Sequence, residues 1–139
     1  MPGPKAKPKA VVRKTEEVPA SPVGKGNGAT IRVLLGSEQG MPHFELRVFA
    51  IEPSGRIPSH RHDVLEHGQL VLEGKMILTL DGEERTVSAG DAVFIPAGVS
   101  HSYENRGKTP VRFLCAIPRA EYKTEWLEEC FRASENTPG

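Results

Sequence analysis

The sequence predicts an all-β fold, a small jelly-roll β-barrel with a flexible N-terminal tail and a short C-terminal helix. From Thr30 onward, short strand-forming runs follow one another with turn residues between them, at the even spacing of a sandwich or barrel. Asp81-Gly82 separates two such runs and is a strong hairpin signal, because both turn positions need positive φ. A chain of 139 residues is long enough for one domain with one core.

The N-terminal segment, residues 1–28, is predicted to be a flexible basic tail that precedes a barrel of residues 29–118. It is rich in Pro, Lys, Gly and Ala and has almost no large apolar residues, so it can bury little surface. No aromatic residue is interleaved with its lysines to stack on nucleic-acid bases. We therefore interpret the segment as solubilising and expect its deletion to leave folding nearly unchanged.

Nine runs within the barrel are predicted strands, because each is rich in strand-forming residues and is bounded by turn signals. They cover residues 31–35, 43–52, 57–62, 67–73, 75–80, 84–88, 92–95, 100–105 and 111–117. Pro53-Ser54-Gly55 is predicted to be a turn between the second and third. Within the C-terminal segment of residues 119–139, we predict a helix over 121–131, since Tyr122, Trp126, Leu127 and Cys130 form a partial apolar stripe.

Composition excludes several classes of protein. The 18 Lys and Arg balance the 18 Asp and Glu, so the overall charge gives no signal for nucleic-acid binding. Two cysteines, Cys115 and Cys130, do not make a disulfide framework. No apolar run is long enough for a membrane span, and the polar N-terminus lacks a secretory apolar segment. We expect a cytoplasmic protein without nucleic-acid or membrane partners.

The histidines form two clusters, which predict a metal site. His60 and His62 are two residues apart, so on a strand both imidazoles point to the same face. His67 begins the next apolar run, and His101 lies far downstream. Imidazole is the commonest protein ligand for divalent transition metals. We expect one ion held by these four residues, with His43 outside the site because no second histidine lies two residues away.

Two motifs surround the clusters and resemble those of the cupin family. The first runs from Gly55 to Gly74 and resembles G-x(4–5)-H-x-H-x(3–4)-E/H-x(6)-G. The second, Gly90 to Asn105, matches G-x(5)-P-x-G-x(2)-H-x(3)-N at every fixed position. The resemblance covers roughly residues 30–118. It implies a jelly-roll fold, a small-molecule substrate and, in the usual case, a homodimer.

The third ligand position is ambiguous in the sequence. Counting forward from His62 with three intervening residues leads to Glu66, and Glu is the residue type that most cupins carry at this position. Counting back from Gly74 with six intervening residues leads to His67. Adjacent strand residues face opposite ways, so a regular strand cannot direct both inward. We favour His67, and with it Gln69 and Val71 would face inward. The chain then resembles the small four-histidine cupins that bind manganese, while iron, nickel, copper and zinc stay open.

The resemblance also suggests what the site does. Four neutral ligands leave a divalent ion its full charge, and around an octahedral ion they leave two positions open; catalytic sites keep an open position. We expect a metal-dependent oxidoreductase of the dioxygenase type that uses oxygen or peroxide. A redox-neutral lyase or isomerase and a non-enzymatic ligand-binding protein are the alternatives. Tyr103 is a candidate proton donor, and the relatives place residues matching Phe113 and Cys115 near the metal.

Overall fold

The structure, a computed structural model, describes residues 7–128. Ten strands account for most of it, and two short 3₁₀ turns, Thr15–Glu17 and Ser37–Gln39, precede and follow the second strand. The strands are β1 (Ser21–Pro22), β2 (Asn27–Leu35), β3 (Phe44–His62), β4 (His67–Glu73), β5 (Lys75–Leu80), β6 (Glu83–Ser88), β7 (Ala92–Ile95), β8 (His101–Glu104), β9 (Val111–Pro118) and β10 (Thr124–Trp126). No helix among residues 7–128 is long and apolar enough to cross a membrane.

The strands form one curled antiparallel sheet, which confirms the predicted all-β fold. Its main path runs β6-β5-β8-β3-β9-β4-β7, with β2 and β10 also paired to β3 and β1 paired to β2. The hairpin predicted at Asp81-Gly82 joins β5 to β6, and both residues have positive φ, 47° and 84°. Because the sheet curls, side chains that point inward from strands distant in sequence meet in one interior.

Strand β3 merges two of the predicted strands, 43–52 and 57–62, into one bent strand. Its first half pairs with β9 and its second half pairs with β8. At the bend Ser54 has a φ of 69°, and a Cβ on Gly55 would lie 2.8 Å from the Gly28 carbonyl oxygen and 2.9 Å from that of Glu52. Only glycine permits this close approach of backbone to backbone. The predicted turn is therefore a bend within one strand.

The core contains stacked aromatic rings surrounded by aliphatic side chains. Phe113 is fully buried and stacks between Phe49 and Tyr103, with ring centroids 5.0 Å and 4.9 Å away. Offset aromatic pairs of this kind add to the free energy gained from burial alone. The aliphatic members of the same cluster are Ala29, Ile51, Ile57, Val71, Met76, Leu78, Val87 and Val111.

Asn105, the last residue of the second motif, connects the loop after β8 to strand β3. Its amide donates to the carbonyls of Ile51 and Thr109, both at 2.9 Å, and its side-chain oxygen accepts from the Gly107 N–H at 2.9 Å. Asn105 is almost fully buried, so each of these bonds satisfies a group that would otherwise be costly to desolvate.

The predicted C-terminal helix is wrong over residues 121–128. Thr124–Trp126 is strand β10 and pairs with His60 to His62 of β3, while residues 129–131 lie outside the described part of the chain. Tyr122 and Trp126 are four residues apart, a spacing that fits both a helical stripe and one face of an extended chain. The extended conformation places Tyr122, Thr124 and Trp126 along the same cavity.

The predicted tail ends earlier than residue 28. Residues 7–14 have no regular structure, in line with the prediction, but Ser21–Pro22 and Asn27 onward belong to the sheet. Val18 is buried, and its carbonyl accepts a 2.9 Å hydrogen bond from Arg32 Nε. Val23 packs against the core. These few apolar side chains bury enough surface to order the segment, although its overall composition is that of a tail.

Two N-terminal deletions should therefore differ in stability. Removing residues 1–12 should leave the midpoint of thermal unfolding almost unchanged. Removing residues 1–23 should lower it by several degrees, because burying a valine such as Val18 contributes roughly 1.5–3 kcal/mol. Differential scanning calorimetry of the two truncated chains beside the full chain measures the difference. Equal midpoints for all three chains would show that the segment is the dispensable tail that composition predicts.

Candidate metal centre

Three strand ends bring four histidines to one side of the barrel. His60 and His62 lie at the end of β3, His67 opens β4, and His101 opens β8. His60 pairs directly with His101 across β3 and β8. The bend in β3 makes this pairing possible, because it carries the end of the strand away from β9 and onto β8.

Three of the imidazoles converge on one point, and the fourth, that of His67, lies beside them. One ring nitrogen from each of His60, His62 and His101 lies within 4.8 Å of the other two. The ring centroid of His67 is 5.1 Å from that of His62 and 5.0 Å from that of His101. His67 is 3% exposed, whereas Glu66, the residue just before β4, is exposed. His43 is also exposed and lies apart from the group.

Hydrogen bonds at Nδ1 orient the imidazole rings. His60 Nδ1 lies 2.8 Å from the Pro58 carbonyl oxygen, and His101 Nδ1 lies 3.0 Å from that of Val99. A carbonyl only accepts, so each Nδ1 donates and each Nε2 keeps its lone pair for an ion. Thr124 Oγ1 lies 3.0 Å from His62 Nδ1. His67 Nδ1 is buried without a hydrogen-bond partner.

Burial keeps the cluster uncharged. It lowers the pKa of all four histidines from the usual 6.5, to about 4 for His62, about 3 for His67 and about 2 for His101. The positive charge of nearby Arg47 and the neighbouring imidazoles lower these pKa values further. Neutral imidazole is the form that binds metal. The converging nitrogens, the oriented rings and the unpartnered Nδ1 therefore fit a divalent transition metal.

A cavity of about 210 Å³ lies beside the four histidines. No acidic residue is among the described side chains that line it, so its wall carries one formal charge, that of Arg47. The other lining residues are Pro22, Val23, Gly24, Ile31, Phe49, Ile57, His60, His62, His67, Gln69, His101, Tyr103, Tyr122, Thr124 and Trp126.

The predicted wall agrees with the structure in part. Tyr103 and Gln69 line the cavity, and Gln69 Nε2 donates to the Tyr103 oxygen at 2.8 Å. Burial raises the pKa of Tyr103, so its phenol stays protonated. Phe113 and Cys115 are fully buried and do not line the cavity. Phe113 supports the wall through its stack with Tyr103.

Sequence reasoning missed Arg47 and the side chains of β10. His60 lies 4.8 Å from Trp126 and His62 lies 5.3 Å from Tyr122, measured between ring centroids. Arg47 shares a strand face with Phe49, so alternation along β3 was a usable signal for it. The sequence contains no signal that distinguishes β10 from a helix. Tyr122 and Trp126 are four residues apart and lie on one face in either conformation.

Comparison with known proteins identifies the fold family. The cupin domain profile matches residues 47–117, which includes all four histidines of the cluster. The chain belongs to the cupin family. The cupin is 32% identical to the oxalate-binding protein of Thermotoga maritima over 77% of its own length and 92% of the relative. It is 43% identical to the quercetin 2,3-dioxygenase of Bacillus subtilis, but over 43% of this chain and 18% of that protein.

A solved structure resembles the cupin over nearly its whole length. The polyketide cyclase RemF from Streptomyces resistomycificus superposes with a TM-score of 0.82 at 28% identity, covering 91% of this chain and 94% of that one. These relatives carry different names for what they bind or do. The likeness therefore gives the fold and the family, and the function has to be argued from the site itself.

Alanine substitutions should separate ligands from neighbours. His60→Ala, His62→Ala, His67→Ala and His101→Ala should each lower metal content strongly, since each removes one imidazole from the cluster. Glu66→Ala and His43→Ala are matched controls on exposed side chains and should retain the metal. Elemental analysis of each purified variant measures the metal content per chain. An empty site in Glu66→Ala with a filled site in His67→Ala would reverse the assignment of the third ligand.

The metal-free protein should lose stability as the pH falls below 6.5. The folded-state pKa values of His67 and His101 lie well below that of an unfolded histidine, so between pH 6.5 and 5 the unfolded chain binds protons that the folded chain does not. Each such histidine lowers the free energy of unfolding by at most about 1.4 kcal/mol per pH unit.

Urea denaturation at several pH values measures this slope. His101→Asn should flatten it, because the side chain no longer titrates. His43→Asn, which replaces an exposed histidine outside the cluster, is the matched control. An identical slope in His101→Asn and the parent chain would refute the assignment of the pH dependence to the buried cluster.

Proposed function

We propose that this cupin is a metal-dependent oxidoreductase of the dioxygenase type, acting on a small organic molecule with oxygen or peroxide as co-substrate. His60, His62, His67 and His101 would hold one divalent transition metal per subunit, manganese by resemblance to the four-histidine cupins. The observation that carries the proposal is the set of neutral imidazoles, three buried and that of His62 half-buried, beside a cavity whose described lining has no carboxylate.

A divalent ion bound there would supply Lewis acidity and, if it is manganese, iron, copper or nickel, access to a second oxidation state. The chain supplies the remaining functions. The carbonyls that fix Nδ1 of His60 and His101 would leave the Nε2 lone pair of each ring free for the ion. Tyr103, protonated and held by Gln69, can donate a hydrogen bond to a ligand oxygen. Trp126 and Phe49 contribute apolar surface to the cavity wall.

The dioxygenase assignment draws on the likeness to the quercetin 2,3-dioxygenase, which includes only part of that protein. A second candidate is a redox-neutral reaction in which the ion acts only as a Lewis acid. The near full-length likeness to a polyketide cyclase favours it. No carboxylate among the described lining residues is available as a general base, so such a reaction would depend on polarisation of the substrate.

Metal content and oxygen dependence distinguish the two candidates. The protein purified without chelator should contain about one manganese, iron, copper or nickel ion per chain. It should take up oxygen with 3-hydroxychromone, the bicyclic core of a flavonol, and His101→Ala should abolish this uptake while His43→Ala retains it. Zinc in the site together with turnover that is equally fast under strict anaerobiosis would contradict the oxidoreductase proposal and favour the second candidate.

We also propose that the protein is a homodimer with a complete metal site in each chain. Leu70 and Leu72 on β4 and Phe94 on β7 are 39%, 44% and 64% exposed on the outer face of the sheet, a contiguous apolar surface that a partner would cover. Light scattering at micromolar concentration should give twice the chain mass, and Phe94→Glu should reduce it. A monomer mass for the parent chain would overturn the assembly without affecting the metal site.

A further inference from the structure

We propose that Arg47 makes the cavity selective for an organic anion, a carboxylate or enolate carried on a compact apolar body. The inference deepens the proposed function, on which it rests for placing the ligand beside the four histidines. The observation behind it is that a buried guanidinium, with a donor atom left without a hydrogen-bond partner, lines a cavity that no described acidic side chain enters.

The surroundings of Arg47 leave its charge incompletely compensated. The residue is 8% exposed, and its Nη2 donates to Cys115 Sγ at 3.4 Å, a weak acceptor. Its Cζ lies 5.1 Å from the ring centroid of Phe49. Glu45 Oε2 is 3.8 Å from Nε, too far for a hydrogen bond, and Glu45 is not among the residues that line the cavity. The Nε–H is buried and has no hydrogen-bond partner.

A buried donor without a hydrogen-bond partner is costly, and the Glu45 carboxylate at 3.8 Å partly balances the charge of Arg47 without satisfying its Nε–H. A carboxylate in the cavity would accept from Arg47 in a charge-assisted hydrogen bond, which is stronger than a neutral one. The four imidazoles are neutral, so they provide no negative charge that would balance Arg47 in place of the ligand. A bound divalent ion would make the cavity still more positive, so the protein and the ion both favour an anion.

A second unpartnered group indicates a further polar feature of the ligand. The carboxamide oxygen of Gln69 is buried without a hydrogen-bond partner, while its nitrogen donates to the Tyr103 oxygen. Gln69 therefore presents an acceptor, and the Tyr103 hydroxyl keeps its own hydrogen to donate. A ligand that carries a hydroxyl beside its acidic group would satisfy both residues as well as Arg47.

The rest of the wall defines the body of the ligand. Val23, Ile31, Phe49 and Trp126 contribute apolar side chains to the cavity. A volume of about 210 Å³ is smaller than the roughly 300 Å³ at which sites for drug-sized ligands begin. The wall therefore suits a hydroxylated aromatic acid of one or two rings, or a short unsaturated acid. It disfavours a sugar, because the many hydroxyls of a sugar would lack hydrogen-bond partners here.

Matched probes test the inference by titration calorimetry. The acid is 2-hydroxybenzoate, and its neutral isostere is 2-hydroxybenzamide. The metal-loaded parent chain should bind the acid about 10- to 100-fold more tightly than the amide, the range expected for a hydrogen bond to a charged group. Arg47→Gln should weaken binding of the acid at least about tenfold and change binding of the amide little. Arg47→Lys, which keeps the charge but loses the planar fork, should retain part of the preference.

Controls keep this test separate from the metal assignment. Arg85→Gln removes an exposed arginine outside the cavity and should behave as the parent chain. Metal content is measured in every sample, and the titration is repeated on the metal-free chain, so a failure of metal binding leaves the anion preference measurable. Equal binding of acid and amide by the parent chain, no binding of the acid, or an unchanged preference in Arg47→Gln would each overturn the role of Arg47.

Discussion

The bend in β3 is the constraint on which the rest of the structure depends. Where the chain passes Gly55, backbone carbonyls of Gly28 and Glu52 lie so close that no side chain fits. The bend lets one strand pair with β9 before it and with β8 after it, which curls the sheet. It also brings His60 opposite His101. Curvature, core and histidine cluster therefore share one backbone feature. Asn105 stabilises it, because its side chain donates to the Ile51 carbonyl and its backbone is hydrogen-bonded to Ser54 and Gly55 at the bend.

The candidate metal centre combines features that would destabilise an ordinary core. Three buried imidazoles and the half-buried one of His62 lie together near a guanidinium, and polar atoms of Arg47, His67 and Gln69 are buried without hydrogen-bond partners. Buried polar groups in folded proteins are nearly always satisfied. Their concentration around one cavity, when the aliphatic cluster packs without polar side-chain atoms, distinguishes a binding site from a structural core.

The relatives show why the fold alone does not decide the function. An oxalate-binding protein, a quercetin dioxygenase and a polyketide cyclase are similar to this chain to different extents. The function of this chain therefore has to be argued from the side chains around the histidine cluster. Here those are Arg47, which supplies a positive charge, Tyr103 and Gln69, which supply hydrogen bonds, and the side chains of β10. Strand β10 closes one side of the cavity and is tied to β3 by the ion pair of Arg61 with Glu125 at 2.7 Å.

The sequence by itself determined strands β4 to β9, the Asp81-Gly82 hairpin and the clustering of His60, His62 and His67, because alternation, turn chemistry and short spacings are local properties. It left the choice between Glu66 and His67 open, since a one-residue shift reverses which side chain faces inward. Only the tertiary structure, in which β4 pairs with β7 and β9, decided which of the two is buried. The tertiary structure also decided three further features. These are the position of Arg47 in the cavity wall, the extended conformation of Thr124–Trp126 and the burial of Val18. Each depends on contacts with residues far away in the chain, and local pattern carries no information about such contacts.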